Sequence, residues 1–287
     1  MRSILMRYPF GKPKAVTFSY DDGVMQDKRL SEIFNKYGLK ATFNLNCEEM
    51  REKNFTSEQI KEYFLSKGHE IAVHGAEHRA TGYLRSIEGI RDVLECRLEL
   101  EKKCDCIIRG MAYPDTGIVI MGNSTNYNMI KQYLTELDIA YSRTLGGDNN
   151  SFMLPSDFHA WMPTAHHNNP KIMEYIDEFL NIDVSTNVYY PKRYPRLLYI
   201  WGHSYEFDNH NNWEHIEEVC EKLSGNDEIW YATNLEICDY VDAYKRLIFS
   251  ADNSKVYNPS VTTIWFDIDG KLYNIKPGET IIIKEKK

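Results

Sequence analysis

Thr17-Phe18-Ser19-Tyr20-Asp21-Asp22-Gly23 is the stretch on which the reading of this chain turns. Residues 14–20 are rich in β-forming side chains, and Asp21-Asp22-Gly23 ends them with a turn signal. Residues 26–37 then carry Leu30, Ile33, Phe34 and Tyr37 at helical spacing, and Gly38 is the stop. The alternation continues with strands at 41–45, 70–73, 107–112 and 139–142. Helices at 56–66, with Ser57 as N-cap, at 86–102 and at 126–136 lie between them. A helix at 171–180, a strand at 196–201, a helix at 213–223, a strand at 228–232 and a closing helix at 235–247 complete the pattern. Strand, helix, strand at this rhythm implies parallel pairing through helical crossovers. About seven such units make an α/β fold close to a (β/α) barrel, with an open doubly wound sheet as the alternative.

Beyond Phe249 the character changes. Strands are expected at 260–267, 271–275 and 280–284, with turns at Asp269-Gly270 and Pro277-Gly278. A β-rich tail this short does not readily stand alone. The expected organisation is therefore a barrel over residues 1–248 and a β-rich C-terminal extension over 249–287 packed on it.

With 287 residues and a hydrophobic fraction of 43%, the chain can bury one large core. A net charge of −8 and the absence of a basic stripe speak against nucleic acid as a partner. Arg7 and Pro9 interrupt the first apolar run, and no stretch reaches the ~20 apolar residues of a membrane helix. A cytoplasmic protein with six free thiols is expected. Cys104 and Cys106 have no second pair with which to build a structural zinc site. Homo-oligomerisation stays open.

In α/β architectures function sits where strands end. The first strand ends at Asp21-Asp22, the third at His74 with His78 four residues on, and the sixth at His203. The fourth leads from Arg109 to Tyr113-Pro114. Two His at i and i+4 on one face of a helical turn reach a single ion. The order His74-Gly75-Ala76-Glu77-His78 does not match the His-Glu-x-x-His of zinc proteases. One carboxylate plus two His leaves room for water, the arrangement of a catalytic zinc. The adjacent side chains of His166-His167 diverge, so no second ion is expected there.

These segments, with 198–203 (Leu-Tyr-Ile-Trp-Gly-His), resemble in order the motifs of the polysaccharide deacetylases, carbohydrate esterase family 4. The resemblance covers roughly residues 14–245. It implies a distorted (β/α) barrel and a divalent metal, usually zinc with Co2+, Mn2+ or Ni2+ as alternatives. The implied reaction is hydrolysis of N- or O-acetyl groups on a sugar or oligosaccharide. Asp21 would be the general base, Asp22, His74 and His78 the metal ligands, and His203 the general acid. Arg109 would pair with the base and favour its charged form. A backbone N–H near Tyr113 would face the oxyanion. Trp161 would wall the acyl methyl, and His166 and Tyr205 would contact substrate.

The chain departs from the family pattern in four places. Ser19-Tyr20 separate Phe18 from Asp21, and Gly75 stands where Ser is common. The third motif reads Arg109-Gly110-Met111-Ala112-Tyr113-Pro114 in place of Arg-Pro-Pro. The fourth motif lacks its Asp before Trp161, leaving Asp157 or His166 to tune His203. Two rivals are a metal-independent, allantoinase-like amidohydrolase and a non-catalytic carbohydrate-binding protein. The intact set Asp22, His74 and His78 argues against the first. The joint presence of Asp21, Arg109 and His203 argues against the second.

Overall fold

The computed structural model describes residues 3–47, 55–115, 117–118, 126–184 and 193–283. The chain enters through β1 (Ile4–Arg7) and then builds a parallel sheet. Its strands are β2 (Lys14–Asp22), β3 (Thr42–Leu45), β4 (Glu70–Val73), β5 (Gly110–Ala112), β6 (Tyr141–Arg143), β7 (Ala165–His166) and β8 (Arg196–Gly202). Their order is β6-β5-β4-β3-β2-β8-β7, parallel throughout. The two edges meet at Trp161. Its N–H donates to Ser142 O at 3.2 Å and its carbonyl accepts from Thr144 N–H at 2.9 Å, four residues before β7 joins β8. The expected distorted (β/α) barrel of seven parallel strands is the observed one.

The helices are α1 (Gln26–Lys36), α2 (Ser57–Tyr63), α3 (Ser86–Cys104), α4 (Tyr127–Glu136), α5 (Ile172–Asn181), α6 (Tyr205–Asn209), α7 (Trp213–Leu223) and α8 (Asn234–Lys245). Strand alternation sorts β2 into two faces. Val16, Phe18 and Tyr20 join the apolar layer under α1, where Phe18 meets Phe34 at 4.7 Å between ring centroids. Thr17, Ser19 and Asp21 are buried on the other face, inside the barrel. Thr17 donates to Asn234, and Asn44 donates to Ser19 Oγ at 2.7 Å and to Asp21 Oδ1 at 2.8 Å. A two-residue insertion keeps this parity, so Ser19-Tyr20 lengthen the strand without turning Asp21 outward.

The expected strand at 228–232 is present as β9 (Ile229–Tyr231), but it adds no wall strand. It pairs with Lys14–Val16 of β2, on the edge opposite β8 and beside β3. β7 is absent from the sequence reading because it has only two residues.

Five further strands come after α8: β10 (Ile248–Phe249), β11 (Lys255–Tyr257), β12 (Ile264–Ile268), β13 (Lys271–Ile275) and β14 (Thr280–Ile282). They form two antiparallel sheets, β1-β12-β13 and β10-β11-β14. Ile264, Phe266 and Ile275 share one apolar cluster with Tyr240 and Val241 of α8 and with Tyr141, Trp161 and Tyr199 of the barrel. Tyr240 ties the layers together. Its hydroxyl donates to Arg7 O and accepts from Trp265 N–H, each at 2.8 Å. No helix among the described residues is long and apolar enough to cross a membrane.

Trp161 is 1% exposed and packs edge-on against Tyr141, Phe158 and Tyr199. It closes the barrel from inside the core and does not wall a substrate pocket, which corrects the expectation from its place in the fourth motif. Trp161→Ala is expected to destabilise the fold by about 3–5 kcal/mol in urea unfolding. A loss below about 1 kcal/mol would remove Trp161 from the core.

Candidate active site

The C-terminal ends of the barrel strands bring together Asp21, Asp22, His74, Arg143, His166 and His203. Asp22 ends β2 with φ 83°, in the left-handed region that Asp tolerates better than most residues. That twist breaks strand alternation, so Asp22 reaches the same rim as Asp21 beside it.

Asp22, His74 and His78 offer three ligand atoms within 4.8 Å of one another. Asp22 Oδ1 lies 3.6 Å from His74 Nε2 and 3.2 Å from His78 Nε2, and the two Nε2 atoms are 3.2 Å apart. The segment from His74 to His78 is not the helical turn expected from the spacing. It is an irregular loop with Gly75 at φ 81° and His78 at φ 49°. Asp92 holds it: Ala76 N–H donates to Asp92 O at 3.2 Å and Glu77 N–H to Asp92 Oδ1 at 2.8 Å. A Cβ on Gly75 would lie 2.6 Å from Asp92 Oδ2, so both φ and space require glycine here.

The donor set fits a divalent cation. His74 Nδ1 is 2.9 Å from Ala112 O, an acceptor only, so Nδ1 carries the proton and Nε2 presents its lone pair. Burial lowers the His74 pKa against the pull of Asp21 and Asp22, which favours this neutral form. The lone pair thus faces Asp22 Oδ1 and, at 3.8 Å, Asp21 Oδ2, an arrangement that calls for positive charge between them. Burial alone would raise the Asp22 carboxyl. The hydrogen bond from His78 and the positive charge available on His203 and His78 outweigh it and lower the Asp22 pKa overall.

Asp21 is 2% exposed. Its Oδ1 accepts from Asn44, and its Oδ2 accepts from Arg143 Nη2. Arg143 is fully buried at the end of β6, with its guanidinium 4.5 Å over the Trp201 ring. The partner of Asp21 is therefore Arg143 and not Arg109. Arg109 precedes β5, so barrel polarity puts it at the opposite end, where it is partly exposed and pairs with Asp239 of α8 at 2.9 Å.

His203 comes directly after β8 and is partly buried. Its Nδ1 lies 3.2 Å from Glu206 Oε1, and its Nε2 faces Asp22 Oδ2 at 4.0 Å. Burial would lower its pKa, but Glu206, Asp21 and Asp22 raise it overall. The carboxylate on His203 is Glu206, three residues on. Asp157 is engaged elsewhere: it caps the turn at Phe158–Ala160 and binds Tyr127 and Lys131. His166 meets Glu206 at 3.2 Å and stands edge-on to Trp201. Tyr205 is partly exposed, its ring 5.2 Å from that of His203.

Tyr113 is 1% exposed, and its hydroxyl donates to His159 O. Its N–H donates to Arg143 O at 2.9 Å, continuing the β5–β6 ladder. The Tyr113 amide and hydroxyl are thus both engaged within the protein.

Residues 9–132 match the family model described as Polysaccharide deacetylase. A search of curated proteins finds no match. Solved structures share the fold. A protein assigned to the polysaccharide deacetylases from Mycobacterium smegmatis is 18% identical, covering 85% of this chain and 95% of its own, with a TM-score of 0.56. One from Pseudomonas aeruginosa PAO1 is 13% identical over 81% and 92%, also at 0.56. The Puue allantoinase is 13% identical over 81% and 91%, at 0.59. At these identities the likeness is one of fold.

Arg143→Met leaves a buried carboxylate without its counter-charge. A loss of about 3–5 kcal/mol in denaturant unfolding is expected, and Asp21→Asn in the same chain should restore much of it. Equal stability of Arg143→Met and the parent would mean that the pair does not hold the rim together.

Proposed function

We propose that this chain, with its match to the polysaccharide deacetylases over residues 9–132, is a metal-dependent hydrolase that removes acetyl groups from a sugar, an oligosaccharide or a related small amide. One observation carries the proposal. The three-donor cluster of Asp22, His74 and His78 lies between a buried carboxylate–guanidinium pair, Asp21 and Arg143, and a carboxylate-bound imidazole, His203.

Asp22, His74 and His78 would hold the cation, with zinc the best match to two imidazoles and one carboxylate. When bound, a divalent ion polarises an acyl oxygen and acidifies water. Asp21 is the base that accepts the proton of the attacking water. Arg143 and Asn44 keep its carboxylate aimed at the rim. His203 is the acid. Its Nδ1–H donates to Glu206, which leaves Nε2 turned toward Asp22 to protonate the departing nitrogen or oxygen. The partly exposed Trp201, His166 and Tyr205 border this rim and offer stacking and hydrogen-bonding surface to a sugar ring.

A metal-independent amidohydrolase would leave the inward-facing lone pair of His74 without a purpose. A binding protein would have no use for an acid opposite a base.

The test is acetate release from acetylated chito- and xylo-oligosaccharides, with and without chelator. Activity should vanish with chelator and return with zinc. Asp21→Asn should keep the ion and lose turnover by about 10²–10⁴-fold, while Arg109→Ala should stay within about twofold of the parent. Full activity in chelator, or in Asp21→Asn, would overturn the proposal.

A further inference from the structure

Beside the rim a second group of ligand atoms converges. His166 ends β7, His167 comes next, and Glu206 lies in α6. Neighbouring side chains on a strand are expected to diverge. Here the chain leaves the strand at His167, and the two rings come within 4.4 Å of each other. His166 Nε2 lies 3.2 Å from Glu206 Oε2, and His167 Nε2 lies 2.9 Å from the same oxygen.

Both ring nitrogens converge on one carboxylate oxygen, which also accepts from Asn168 Nδ2 at 3.0 Å. His167 is fully buried, and neither of its ring nitrogens makes a hydrogen bond of acceptable geometry among the described residues. Buried imidazoles are normally satisfied. Tetrahedral zinc with bonds of about 2.0–2.1 Å sets its ligand atoms roughly 3.3 Å apart. Both contacts lie near that spacing, as do the contacts of Asp22 with His78 and His74 at 3.2 and 3.6 Å. All the ligand atoms of the second group also fall within 4.8 Å of one another.

We infer that His166, His167 and Glu206 hold a second divalent cation of zinc type. Two imidazoles and one carboxylate are a donor set that such ions accept, with a position left for a further ligand. The site is built in. The His167 ring is stacked between Tyr20 and Phe207, and a Cβ at Gly202 would lie 1.9 Å from its Nδ1. On its outer side His166 borders a cleft of about 220 Å³ with Trp201 and Asp148.

One contact must yield. Asn168 N–H donates to His166 Nδ1 at 3.1 Å. An ion on Nε2 moves the single imidazole proton to Nδ1 and displaces that amide, with no net proton change. Glu206 Oε1 remains on His203, so the carboxylate would link the second ion to the acid.

The inference does not depend on the hydrolase reading, and zinc analysis separates them. Purified chains are freed of metal, loaded with zinc, desalted and measured by mass spectrometry. The parent should hold two equivalents, Asp22→Ala and Glu206→Gln one each, and the double variant none. His166→Ala, at a partly exposed position, should match Glu206→Gln and guards against a folding defect. Equal zinc in the parent, Glu206→Gln and His166→Ala would overturn the second site. Zinc lost from these two variants but retained in Asp22→Ala would support it and count against the first site instead.

Discussion

Two adjacent carboxylates at the end of a buried parallel strand set the electrostatic problem that the rest of the rim solves. Asp21 and Asp22 cannot share one environment, because alternation sends one inward and a left-handed φ brings the other back to the rim. Asp21 receives a fixed positive charge from Arg143 and a neutral donor from Asn44. Asp22 receives imidazoles, His78 close by and His74 with its lone pair inward. The two carboxylates thus sit in different environments, one paired with a fixed cation and the other ringed by imidazoles, as the proposed division into base and ligand requires. Asp92 fixes the loop that carries His74 and His78, and Gly75 is the residue that lets it pass.

Much of this is legible in the chain. Period-2 and period-3.6 patterning locates the main barrel strands and their helices, because each segment buries one face against the same core. Polar residues at the C-terminal ends of β2, β4 and β8 stand out in the sequence because α/β folds place their chemistry there. The same rule, applied to the strand read at 139–142, points to Arg143 immediately after it. Arg109 draws attention through its place in a motif, yet it precedes its strand, and barrel polarity puts it at the far end.

The remaining differences have local causes. β7 has two residues and closes the barrel through a bridge at Trp161, so no periodic signal marks it. The convergence of His166 and His167 depends on where that short strand stops. Glu206 replaces a carboxylate expected before Trp161, and one turn of helix after His203 brings it into reach. β1 pairs with a strand more than 250 residues away, a contact that local patterning cannot specify. That pairing packs the C-terminal strands on α8 and on Tyr141 and Tyr199 of the barrel in one apolar cluster.

The most direct test is anomalous diffraction at the zinc edge from crystals grown with zinc. A peak about 2.0–2.2 Å from Asp22 Oδ1, His74 Nε2 and His78 Nε2 together is the expected result. Crystals with no peak among these three side chains, at a zinc concentration that saturates the protein in solution, would contradict the account.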